Sequence, residues 1–228
     1  MHNGEFEALR ALLDCMMSRE RADELAETLK SVFGTMTAVV ENIGGQGSLS
    51  SLTEHDRMLL SMIPQLYQKR SLEALGEHPL LDTLGKAGAY SLARYVNEQY
   101  ECVRLFCLDG EYRLKECRDS ATGGLREVNF YPRRLLQDAL ACEARALILC
   151  HNHPSDWEFF SEADINATRE LLIMCARIDL PLLDHLLVAG GKINSMRSRA
   201  FLQDVLWMDC SSRMIPLARW RSELPPMT

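Results

Sequence analysis

Ala146-Leu147-Ile148-Leu149-Cys150-His151-Asn152-His153-Pro154-Ser155, followed by Ser161 and Asp164, decides how this chain is read. The apolar run 146–150 has the length and composition of a buried strand. Residues i and i+2 of a strand point to the same side, so His151 and His153 can aim their imidazoles at one point. Neutral imidazole is the commonest metal ligand, and a carboxylate one short loop away supplies a third. Two His and one Asp leave a tetrahedral ion with one open position, which distinguishes a catalytic zinc site from a closed structural one. The pattern H-x-H-(x7)-S-x-x-D therefore points to a metal-dependent hydrolase.

Each member of that pattern also has a plainer role. A lone His at a strand end is more often a satisfied polar residue than a ligand. Ser161 and Asp164 fit a helix start, because Ser-x-x-acid ahead of an apolar run is a capping box. Cys150 precedes His151 and faces the opposite side of the strand, which makes it a poor ligand. His185, in Leu183-Asp184-His185-Leu186, reads as structural, or at most as a support behind a ligand.

The 228-residue chain has room for one large domain, or a mid-sized domain and a small one, and its formal charge is −7. An acidic balance argues against a general electrostatic grip on nucleic acid, which depends on clustered Lys and Arg. There are eight cysteines and no C-x-x-C pair. That excludes a zinc ribbon and favours free thiols over a disulfide framework. With no stretch of membrane-spanning length and no signal peptide at MHNGEFEALR, a cytoplasmic location is expected.

Helical periodicity dominates the first part: Phe6, Leu9, Leu12 and Leu13, then Leu25, Leu29 and Val32 with Gly34 as a stop, and Thr35 or Thr37 as the next start. Residues 44–51 read as a flexible loop. A further helix from about Glu54 carries Met58, Leu59, Met62 and Ile63, with Pro64 bending or ending it. Residues 71–97 read as a connector of weak helical content. Strands are expected over 102–108, 112–114, 127–130, 146–150, 182–189 and 193–196, with a hairpin turn at Asp109-Gly110 and helices from Pro132 and Ser161. The last stretch, 203–228, reads as a helix and tail containing Trp207 and Trp220. Intermixed strands and helices in this order give an α/β or α+β sandwich.

The segment ILCHNHPSDWEFFSEADINATREL resembles the JAMM (MPN/JAB) metalloprotease signature, and in detail the RadC family. LFCLDGEYRL, VNFYPRRLLQDAL and LLDHLLVAGGKINSM are similar to other RadC segments, and AETLKSVFGTMTAVVE to the family's small helical domain. The resemblance implies a three-layer JAMM/MPN-type sandwich, related to cytidine deaminases, at 98–202, with an all-α domain at 1–70. It implies that His151, His153 and Asp164 bind Zn²⁺ and that Ser161 donates to the oxyanion of a tetrahedral intermediate. The family's general base is a Glu at the start of the first strand, for which Glu101 is preferred and Glu98 held in reserve. The implied activity is hydrolysis of a peptide or isopeptide bond in a protein or peptide substrate; the alternative is a non-catalytic accessory protein of DNA repair, recombination or mobile elements. A zinc deaminase is disfavoured because H-x-E…P-C-x-x-C is absent.

Two departures stand out. RadC proteins usually carry a Gly-, Asp- and Pro-rich loop after H-N-H-P-S, where this chain has Asp156-Trp157-Glu158-Phe159-Phe160. Its aromatics either pack down or form an apolar wall for a substrate or partner. The Gly-Ile-Gly hairpin of helix-hairpin-helix elements is replaced by Ser51-Leu52-Thr53, which removes the close backbone approach to phosphate and weakens a DNA-binding reading.

Overall fold

The computed structural model describes residues 3–42, 52–122, 131–202 and 215–221. The chain divides into two compact units, Met1–Arg70 and Ser71–Thr228. The first unit contains α1 (Asn3–Asp14), α2 (Arg19–Phe33), α3 (Met36–Asn42) and most of α4 (Glu54–Leu75). Ser18 caps α2, and Gly34, at φ 72°, closes it by donating its N–H to the Lys30 carbonyl. Phe6, Leu9, Leu13, Leu25, Leu29 and Leu60 form the core of this unit.

Pro64 does not end its helix. α4 runs through it to Leu75, the ring being buried while the turns on either side stay intact. Its buried positions are Asp56, Leu60 and Pro64, whereas Met58 and Met62 are exposed, so the apolar face lies one position away from the one the sequence suggests. The presumed loop at 44–51 lies outside the described residues, as do the expected strand at 127–130 and Trp207.

The second unit is built on a five-stranded sheet ordered β2-β1-β3-β4-β5. Its strands are β1 (Cys102–Leu108), β2 (Leu114–Thr122), β3 (Ala146–Asn152), β4 (Leu182–Ala189) and β5 (Lys192–Ser195). Only β3 and β4 pair in parallel. That pairing requires a crossover, which α7 (Glu162–Ala176) supplies. One face, with Val103, Leu105, Leu147 and Leu149, packs on α6 (Pro132–Ala141) and α7. The other, with Phe106, Ile148 and Leu186, packs on α5 (Leu84–Arg94) and α8 (Leu217–Arg221). The expected α/β sandwich with helices on both faces is thus present.

Two expectations change. The stretch read as a connector contains α5, capped by Thr83 and burying Leu84, Ala87 and Tyr90. Gly85 and Gly88 hide this helix from propensity. Gly88 is small for a reason: a Cβ there would meet Ile193 Cγ1 at 3.2 Å. The β1–β2 turn is also longer than a two-residue hairpin. Asp109 Oδ1 accepts from the N–H groups of Glu111 and Arg113, Tyr112 sits at φ 64°, and β2 begins only at Leu114.

A register shift in the β3–β4 pairing sets Leu147 opposite Leu182 but Ile148 opposite Asp184, leaving Leu183 as the extra residue. A bulge reverses the facing of everything beyond it. It turns Asp184 towards α8 and His185 towards β3's histidines. The buried Asp184 accepts from the His185 N–H (2.8 Å), the Arg197 N–H (2.9 Å), Trp220 Nε1 (2.9 Å) and the Ser195 hydroxyl. Asp184→Ala should therefore strand four donors and lower the unfolding free energy by about 3 kcal/mol or more. Urea denaturation checks this, and a loss under about 1 kcal/mol would contradict the assignment.

Candidate metal centre

β3 ends where the candidate chemistry begins. His151 pairs in register with Val103 of the antiparallel β1. Two residues outward along each chain, just beyond the paired strands, lie Glu101 and His153. His153 is held to β4 through its own N–H, which donates to the Val188 carbonyl at 2.9 Å. Between the two histidines, Asn152 faces the other way and clamps the segment that carries Glu101. Its Oδ1 accepts from the Cys102 N–H at 2.8 Å and its Nδ2 donates to the Tyr100 carbonyl at 3.0 Å. The sequence reading gave Asn152 no role, although its place inside H-x-H was the available signal.

Glu101, His151 and His153 each offer a ligand atom, and these atoms lie within 4.8 Å of one another. Glu101 is buried. Glu98, the reserve base, is committed elsewhere: its carboxylate pairs with the Arg104 guanidinium at 2.7 Å. Asp164 approaches from the start of α7, with Oδ2 3.6 Å from His151 Nε2, and is not part of the 4.8 Å trio. Ser161 and Asp164 form a capping box: the Ser161 hydroxyl accepts from the Asp164 N–H, and Asp164 Oδ2 accepts from the Ser161 N–H and hydroxyl, both at 2.7 Å. The capping role and the approach to His151 coexist in one carboxylate. Cys150 belongs to the opposite core face, where burial pushes its thiol up to about 12.

The protonation of both imidazoles follows from their outer partners. A carbonyl can only accept, so His153 Nδ1, 2.7 Å from the Trp157 carbonyl, carries a proton and Nε2 has a lone pair. Behind His151 runs a longer chain. The Thr168 hydroxyl donates to the Asp164 carbonyl at 2.6 Å and therefore accepts from His185 Nδ1 at 2.6 Å. His185 Nε2 then accepts from His151 Nδ1 at 2.7 Å, which leaves the His151 lone pair on Nε2. The two Nε2 atoms lie 3.1 Å apart. Two lone pairs that close repel unless positive charge sits against both. Together with a buried carboxylate, this donor set fits a divalent cation such as Zn²⁺.

Burial lowers His151 to about 4, and lowers His185 well below the ordinary histidine value. Protonating His185 at Nε2 would also set its N–H against the N–H of His151 Nδ1. Because the folded pKa of His151 is depressed, the unfolded state binds more protons between about 4 and 6.5, so stability is present above 6.5 and lost as the pH falls towards 4. Urea midpoints at pH 7 and pH 4.5 test this: the decline should be shallower in His151→Gln, and an identical decline in both proteins would contradict it.

The model of the RadC-like JAB domain matches residues 81–201, more than half of the 228. Bacterial relatives are similar over most of the chain. A UPF0758 protein of Methylibium petroleiphilum is 28% identical over 197 residues, covering 86% of this chain and 89% of its own. One from Bordetella bronchiseptica is 31% identical over 175 residues, covering 76% and 75%. A third, from Burkholderia thailandensis, is 32% identical over 168 residues, covering 73% and 64%. Domain match and relatives agree with the helix-flanked sheet: this chain belongs to the RadC family and carries its JAB domain.

Proposed function

We propose that the chain is a zinc-dependent metallopeptidase or isopeptidase that cleaves an amide bond in a protein or peptide. The observation that carries the reading is the pair of converging Nε2 lone pairs at 3.1 Å, with the Glu101 carboxylate beside them. His151, His153 and Asp164 would hold the ion. When bound, Zn²⁺ supplies a Lewis acid that polarises a carbonyl and acidifies water. Glu101 takes a proton from the attacking water and later delivers it to the leaving amine. Its burial and the Asn152 clamp on both flanking residues keep the carboxylate in place for both transfers. Ser161, exposed at the helix start, turns its hydroxyl from Asp164 to the developing oxyanion.

A cytoplasmic setting goes with this reading, supported by seven described cysteines that are all free thiols. No helix among the described residues is long and apolar enough to cross a membrane. The net charge of −7 gives a DNA-associated role no support.

The proximity of Glu101 to both imidazoles makes its role the sharpest test. Dialysed wild-type protein should retain about one zinc per chain by elemental analysis, and His151→Ala and His153→Ala should lose it. Glu101→Gln should keep the zinc and lose turnover of an unfolded protein substrate by about a hundredfold or more. Loss of zinc in Glu101→Gln with retention in Asp164→Asn would make Glu101 a ligand and overturn the assignment of the base.

A further inference from the structure

The loop that leaves His153 is fastened residue by residue. Asp156, at φ 59°, accepts from the Gly190 N–H at 3.0 Å, and the Glu158 carboxylate pairs with Lys192 Nζ at 2.7 Å. The two anchors hold to Gly190 in the β4–β5 turn and to Lys192 at the start of β5. Phe160 turns inward and packs its ring against those of His151 and His185. The residues that alternate with the anchors do the opposite. Trp157 and Phe159 lie with ring centroids 5.2 Å apart and remain 62% and 55% exposed. The backbone of Trp157 is tied to the centre itself, since its carbonyl fixes the His153 tautomer.

Large rings in a loop normally pack down, because each buries roughly 150–250 Å² when covered. Here the loop is pinned on both sides of Trp157 and both rings stay more than half exposed, with the Arg199 guanidinium over the Phe159 ring, 5.6 Å from its centroid. The exposure is therefore a property of the loop as folded, and that loop is joined to the candidate metal centre through the Trp157 carbonyl on His153 Nδ1. Resting on the metallopeptidase reading, we infer that Trp157 and Phe159 form a substrate subsite. It takes a bulky apolar side chain on the residue that contributes the scissile carbonyl. A carbonyl placed at the centre carries that side chain on the adjacent Cα, and the Trp157 ring stands on a residue whose backbone is bonded to His153. Specificity would come from rings covered only when such a side chain is present.

Two hydroxamates that share a zinc-binding head and differ in side chain separate the subsite from the metal. Zinc-loaded wild-type protein, titrated by calorimetry, should bind phenylalanine hydroxamate about tenfold or more tightly than glycine hydroxamate. Trp157→Ala/Phe159→Ala should keep its zinc and its affinity for glycine hydroxamate and lose the preference. Equal affinities in the wild type, or a preference that survives the double substitution, would overturn the subsite while leaving the metallopeptidase reading standing. Failure of both hydroxamates to bind zinc-loaded protein would overturn both. A concentration-dependent dimer that the double variant abolishes, in a wild type without the preference, would overturn the subsite alone, because a second copy would then be what covers the rings.

Discussion

Two imidazole lone pairs facing each other across 3.1 Å are the constraint on which the rest of this domain turns. Left alone they repel. They are held in place because each outer nitrogen is tied off, His153 to a loop carbonyl and His151 to a buried relay through His185 and Thr168. That relay needs β4 to present a histidine towards β3, and the bulge at Leu183 is what turns it there. The same bulge sends Asp184 to the other face, where it gathers β5, the Arg197 turn and α8. One extra residue thus serves the centre on one side of the sheet and the packing of the chain's last described helix on the other.

The register of β1 against β3 does the remaining positioning. It brings Glu101, 52 residues away in sequence, beside His153, and Asn152 locks the backbone on either side of it. The helix start at Ser161 adds a carboxylate whose cap bonds fix it 3.6 Å from His151. Strand alternation, a capping box and an asparagine clamp are ordinary local devices. Their convergence at one sheet end makes a centre with the chemistry of a cation site.

Much of this was legible from residue types because it depends on period-two alternation and short spacing. The strand ending in His151 and His153, the Ser161 cap, the β4–β5 return and the layered architecture follow from patterns a few residues long. Non-local features were not readable. The α5 helix is concealed by glycines whose purpose, close approach to Ile193, exists only in the folded chain. Pro64 sits buried within a continuous α4, where its missing donor alone would argue for a break. His185 sits in a strand-like apolar run, and only the Leu183 bulge, invisible in sequence, decides which way it faces. Likewise the pairing of Glu98 with Arg104 exists only in the folded chain.

X-ray absorption at the zinc edge tests the central claim most directly, because it counts ligands without needing a substrate. The account predicts a first shell of nitrogen and oxygen alone, with the outer-shell scattering of two imidazoles and no sulfur. A zinc–sulfur distance, or scattering from fewer than two imidazoles, would contradict it.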